Sequence, residues 1–180
     1  GLGVDLPWRV SAGALRPSDA SFDVSNYHFQ CTFAQAAATI VSGGVAERIT
    51  MLGYLGFCAL MTAVIYPVVV SQTWGGGFLG EMGFVDFAGS GVVHLCGGVG
   101  ALVGGIAVGP RSGRFNPSEK HSFASPHPQS IVLGTLLLWF GWYGFNAGSN
   151  GGITSRSTAF TAAMVSVNTT LGGCAGGSFT

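Results

Sequence analysis

The sequence is poor in charge. Seven basic and seven acidic side chains make up only 8% of its 180 residues, where a soluble domain carries about 25%. So few charges cannot furnish a water-facing shell, and a net charge of zero gives no reason to expect nucleic acid as a partner. Cysteine is scarce too. Cys31, Cys58, Cys96 and Cys174 have neither paired nor metal-ligand spacing, which argues against a disulfide framework and a metal site. No Ser/His/Asp or His/Cys cluster has catalytic spacing. Gly98-Val99-Gly100-Ala101-Leu102-Val103 lacks the last small residue of a dinucleotide fingerprint and lies inside an apolar run. A soluble enzyme is not expected, and nothing calls for a cofactor.

What is present in quantity is uncharged chain. Asp, Glu, Lys and Arg are missing from 24–46, 49–80, 87–110, 121–155 and 157–180. Each run reaches the roughly 20 residues a spanning helix needs. One such run fits a soluble core, but five in succession predict an all-α, polytopic membrane bundle that contacts lipid. The expected spans are about 27–45, 51–72, 87–109, 129–149 and 157–178, within a single membrane domain over 1–180. Residues 1–26, with three Asp, two Arg and two Pro, read as an extramembrane segment. Gly1 is no initiator and Thr180 ends an apolar run, so the chain is expected to be incomplete at both ends.

Basic residues give an orientation. Arg48 follows the first expected span, and Arg111, Arg114 and Lys120 follow the third. Both connections must share a side, which the positive-inside rule makes cytoplasmic. Residues 1–26 and the connection holding Glu81 then face outward. Glycine is abundant, at 31 residues, and sits within the apolar runs. Gly100/Gly104, Gly144/Gly148 and Gly172/Gly176 are small-residue pairs one turn apart that let helices approach closely.

A few side chains could carry chemistry. His94 lies within the third span, where an ionisable group is costly and usually faces a cavity. Counting eight residues of helix from Asp86 puts it about 12 Å deep. A buried histidine bonded to a neighbouring helix is the plainer alternative. Asp86 reads as a helix N-cap, and a carboxylate at a pore mouth would also concentrate cations. Trp74, before Gly75-Gly76-Gly77, fits either an interfacial belt or a cation–π wall. Helical spacing puts Trp142, Phe145 and Ser149 on one side of the fourth span, and Phe29 and Phe33 on one face of the first. Such stripes serve packing or lipid contact as readily as a constriction.

The motifs in order resemble the ammonium transporter (Amt/MEP) family. They are Phe29-Gln30-x-x-Phe33-Ala34, Gly44-Val45-Ala46-Glu47-Arg48, Tyr66-Pro67 leading to Trp74-Gly75-Gly76-Gly77, Asp86-Phe87-Ala88-Gly89-Ser90-Gly91-Val92-Val93-His94 closed by Gly109-Pro110-Arg111, and Gly141-Trp142-Tyr143-Gly144-Phe145-Asn146-Ala147-Gly148-Ser149. The resemblance implies an eleven-span, two-half inverted-repeat fold assembled as a homotrimer, here represented by spans three to seven. It implies an outer ammonium site at Trp74 and Ser149 with Asp86 beneath, and a stacked gate of Phe33 and Phe145. It also implies a pore lined by His94, Trp142 and Phe29, whose second histidine belongs to a later helix. Trp74 favours ammonium transporters over the related Rhesus-type channels. The expected function is ammonium transport, conducted as ammonia, in the plasma membrane. An ammonium sensor of the same fold is the alternative.

Overall fold

The computed structural model describes residues 24–118, 123 and 127–178. Of the expected extramembrane segment 1–26, residues 1–23 lie outside them. All regular structure among the described residues is helical. The chain divides after Ser112 into two compact units.

In the first unit, α1 runs over Val24–Val45, α2 over Met51–Gln72, the short α3 over Phe78–Glu81 and α4 over Ser90–Val108. Thr50 starts α2 as its N-cap, its hydroxyl accepting from Gly53 N–H at 3.2 Å. Tyr54 near the start of α2 donates to the Ala38 carbonyl late in α1, at 3.2 Å, so these two helices are antiparallel. The ends of α1 and α4 meet through Arg48 and Gly109, so those two are parallel. Val41, Val45, Met61, Tyr66, Val70, Val92 and Val93 form the buried core where the three long helices cross.

The α1–α4 contact is close because α4 offers backbone where a side chain would stand. A methyl on Gly97 would come within 2.8 Å of Ile40, one on Gly100 within 2.9 Å of Val41, and one on Gly104 within 2.8 Å of Val45. Of the three small-residue pairs, Gly100/Gly104 thus forms a seam. Methyls on Gly144, Gly148, Gly172 and Gly176 would meet no atom within 4 Å among the described residues. In the second unit it is Gly173 that lies against the Trp139 ring.

Two helices contain π turns. In α2 the turn covers Met61–Ile65, ending two residues before Pro67. Proline has no N–H to return to the preceding turn and its ring crowds that carbonyl, so the helix widens there. In α4 the π turn covers Ser90–Leu95 and includes His94.

The second unit is a hairpin of α5, Pro128–Gly148, and α6, Arg156–Ser178. Pro128 suits a first turn, where its missing N–H has no partner to lose. Ser155 and Thr158 cap α6 reciprocally: Thr158 N–H donates to the Ser155 hydroxyl at 3.1 Å, and Ser155 N–H to the Thr158 hydroxyl at 3.0 Å. Asn146 donates to Thr169 at 2.9 Å, and Tyr143 pairs with Thr170 at 2.7 Å, which pins the helices antiparallel.

By length and apolar composition, α2, α4 and α5 are able to cross a membrane, and the molecule is a polytopic helical bundle. Helices α1 and α6 have 22 and 23 residues, or about 33–35 Å at the usual rise. Their composition is more polar. Much of that polarity is hydroxyl, satisfied within the helix: Thr32 donates to Phe29 O, Thr39 to Ala36 O, Ser166 to Ala162 O and Thr169 to Val165 O.

Candidate functional site

Asp86 organises the first unit's site. The expected third span began at residue 87, but α4 starts at Ser90, behind Gly89 in the left-handed region at φ +94°. A helix start leaves four N–H groups without helical partners. Asp86 takes all four from outside the helix. Its Oδ1 accepts from Gly89 N at 2.8 Å and Ser90 N at 3.0 Å, and its Oδ2 accepts from Gly91 N and Val92 N, each at 2.8 Å. The expected capping role is therefore met from three residues before the N-cap. Gly89 makes the geometry possible, since a methyl there would lie 2.6 Å from Val93 Cγ2 and φ would be unfavourable. Burial pushes the Asp86 carboxyl upward, but the bonds from Val92, Gly89, Gly91 and Ser90 outweigh it and hold the group below the ordinary carboxylate value.

Trp74 is tied to the same loop. Its indole N–H donates to the Asp86 backbone carbonyl at 2.6 Å, which fixes the ring. Phe33 lies 5.6 Å from the Trp74 ring at 53°. Phe29 meets Phe33 edge-on, 4.6 Å away. Phe33 is 3% exposed, whereas Trp74 and Phe29 are half-buried. The structure therefore brings Phe29, Phe33, Trp74 and Asp86 into one connected group.

His94 joins it through Gly89. The Gly89 carbonyl accepts from Val93 N and His94 N, both at 2.9 Å, and His94 Nδ1 lies 3.2 Å from it. A carbonyl only accepts, so in this contact Nδ1 is the donor. His94 lies only four residues of helix, about 6 Å, from the start of α4 and not, as expected, about 12 Å from Asp86, because 86–89 is a capping loop and not helix.

Trp142, Phe145 and Ser149 are half-buried residues of the second unit, at the end of α5. Ser149 donates its hydroxyl to the Phe145 carbonyl at 2.8 Å. With its proton so committed, the Ser149 oxygen presents lone pairs that can accept from a donor. Sequence reasoning missed Gly89, whose carbonyl holds His94, and the backbone link from Trp74 to Asp86. The Asp-x-x-Gly spacing was the available signal for the first; nothing in the sequence signals the second.

The Ammonium Transporter Family model matches residues 9–180. Ammonium transporter Amt2 of Haloferax mediterranei is 47% identical over 157 residues, covering 82% of this chain and 34% of its own. Ammonium transporter Amt1 of that organism is 50% identical over 131 residues, covering 67% and 25%. Ammonium transporter 1 member 1 of Arabidopsis thaliana is 42% identical over 174 residues, covering 86% and 35%. The chain thus spans about a third of the length of the curated relatives it matches. No solved structure matches it. With a family match over nearly its whole length, this chain belongs to the ammonium transporter family.

Proposed function

We propose that the protein of which this chain is a part carries ammonium across the plasma membrane. Ammonium is recruited on the Trp74 face and conducted as ammonia past His94. The observation that carries the reading is the fixed aromatic group of Trp74, Phe33 and Phe29, anchored on the Asp86 loop from which the His94 helix starts. All five long helices then cross the bilayer, and the assembled protein is a homotrimer of eleven-span subunits, as the family resemblance implies.

The physics favours ammonium at the entrance and ammonia inside. Removing a cation from water costs several kcal/mol even after relaxation, while a cation–π contact returns at most about 2 kcal/mol. An ammonium ion can therefore rest on Trp74 but crosses an apolar gate poorly while charged; the family resemblance implies Ser149 as an acceptor at the first and Phe33 and Phe145 as the second. Losing its proton removes most of that penalty, and neutral ammonia can then pass His94. Trp142 and Phe29 line the path. Asp86 contributes mainly by holding Trp74 and α4, since its oxygens already accept four backbone bonds.

For that reason Trp74→Leu tests recruitment better than Asp86→Ala, which removes the loop itself. In proteoliposomes of the full-length protein, Trp74→Leu should raise the ammonium KM roughly tenfold, matching the loss of one cation–π contact. An unchanged KM would sink the aromatic site. Ammonium binding without flux in the parent protein would favour a sensor.

A further inference from the structure

A second polar cluster lies at the far end of the first unit, away from the aromatic group. Arg48 follows the last turn of α1. Its Nη1 donates to the Gly109 carbonyl at 2.7 Å, and its Nη2 to the Gly44 carbonyl. Gly44 belongs to the end of α1, and Gly109 caps the end of α4 with φ +71°. One guanidinium thus bonds the C-terminal ends of two parallel helices, where carbonyls lack helical partners and the dipole is negative. Beside it, Arg111 after α4 pairs with Glu47 after α1 at 2.7 Å. The fork of guanidinium donors makes this two-helix bond specific; a lysine amine offers a point charge without it.

The position of this clasp matters for what the two helices carry. Helix α1 bears Phe29 and Phe33, and α4 begins beside the Gly89 carbonyl that holds His94. Between clasp and site runs the glycine seam, in which Gly97, Gly100 and Gly104 admit Ile40, Val41 and Val45. Ile40, Val41 and Val45 seated against the glycines set how near the helices approach. The clasp adds a polar restraint on their register at the C-terminal ends. We propose that Arg48 is a positioning residue: by joining the ends of α1 and α4 it sets the register of Phe33 against His94. The Glu47–Arg111 pair assists only weakly, since both side chains are substantially exposed, at 63% and 38%.

The proposal rests on the transport reading only for its functional readout, and its structural readout stands alone. Full-length protein is labelled with spin probes at Ala46→Cys and Ala107→Cys, both exposed positions near the clasp, in a background without other cysteines. Arg48→Lys and Arg48→Ala are compared with the parent. The expected result is a broadened or shifted interprobe distance in both variants. Their maximal ammonium flux should fall roughly tenfold, the scale of sub-ångström misplacement at a working site, with KM unchanged because Trp74 is untouched. Parent distances and parent maximal rate in Arg48→Lys overturn the proposal, whatever the folding yield of Arg48→Ala. If the parent carries no ammonium flux, the transport reading fails, and the distances alone decide the clasp.

Discussion

Asp86 stands outside the helix it caps, so its charge and the start of α4 are one thermodynamic unit. Its folded-state pKa lies below the ordinary value, which is about 4 in an unfolded chain. A depressed carboxylate pKa contributes stability that is complete above the unfolded value and is lost as pH falls through the folded one. Asp86→Asn keeps one acceptor oxygen but turns an NH₂ toward the N–H groups of Gly91 and Val92, or of Gly89 and Ser90. At pH 7 the variant should be less stable by about 1–2 kcal/mol, the usual scale of a lost cap. Its melting temperature in detergent should begin to converge on the parent's below about pH 4, where the unfolded carboxylate takes up its proton, and meet it once the pH passes the lower folded-state value. A gap of constant size from pH 7 to pH 3 would show that the charge does not hold the loop. Individual residues here were legible as types: Asp86 as a cap, His94 as a costly polar group, Trp74 as a ring at a helix end. Their connections were not. The Trp74 bond to the Asp86 backbone carbonyl joins two positions twelve residues apart through an atom that every residue possesses, so no side-chain pattern announces it.

Helices were readable from the uncharged runs because a bilayer demands length and low polarity more than any period. Expected and observed ends agree closely for α2 and α5, at 51–72 against Met51–Gln72 and 129–149 against Pro128–Gly148. They differ at the start of α4, where the uncharged run opens with the capping loop 87–89. The π turns were not readable. An all-apolar helix has no polar face whose phase could reveal an extra residue, and the widening in α2 answers to Pro67 through the backbone alone. The glycine seam was half readable: spacing suggested three pairs, but only the structure selects which glycines meet a neighbour. That selection predicts a contrast between adjacent residues. Gly97→Ala drives a methyl to 2.8 Å from Ile40 and 2.9 Å from the Ala37 carbonyl, and should destabilise by about 1–3 kcal/mol as an overpacked contact. Gly98→Ala meets nothing within 4 Å in this unit and should gain slightly from helix propensity. Thermal unfolding of the two variants in detergent measures the difference. Equal melting temperatures would mean that the seam is not closely packed.

For the whole molecule, the alternation of the first three long helices gives the membrane orientation a definite test. Helices α1 and α4 are parallel and joined at their C-terminal ends by Arg48, and α2 returns between them. The 47–50 turn and the segment following Gly109 therefore lie on one side, and the 73–89 connection on the other. Arg48 and Arg111 belong to the first side, Glu81 and Asp86 to the second. The positive-inside bias predicts that the arginine side, which also holds the Glu47–Arg111 pair, faces the cytoplasm. Helix α4 has 19 residues, about 28 Å of rise, enough to cross a hydrocarbon core of about 30 Å with its flanks at the interfaces. Single cysteines at the exposed positions Glu81 and Ser112 bracket that crossing. In intact cells making the full-length protein without its other cysteines, a membrane-impermeant maleimide should label Glu81→Cys at once. Ser112→Cys should react only after permeabilisation. The reverse pattern would invert the orientation and move the Trp74 ring to the cytoplasmic face, making the proposed recruitment site an exit. Labelling of both cysteines from outside would mean that α4 does not cross, and the path from Trp74 past His94 would then lose the helix on which it depends.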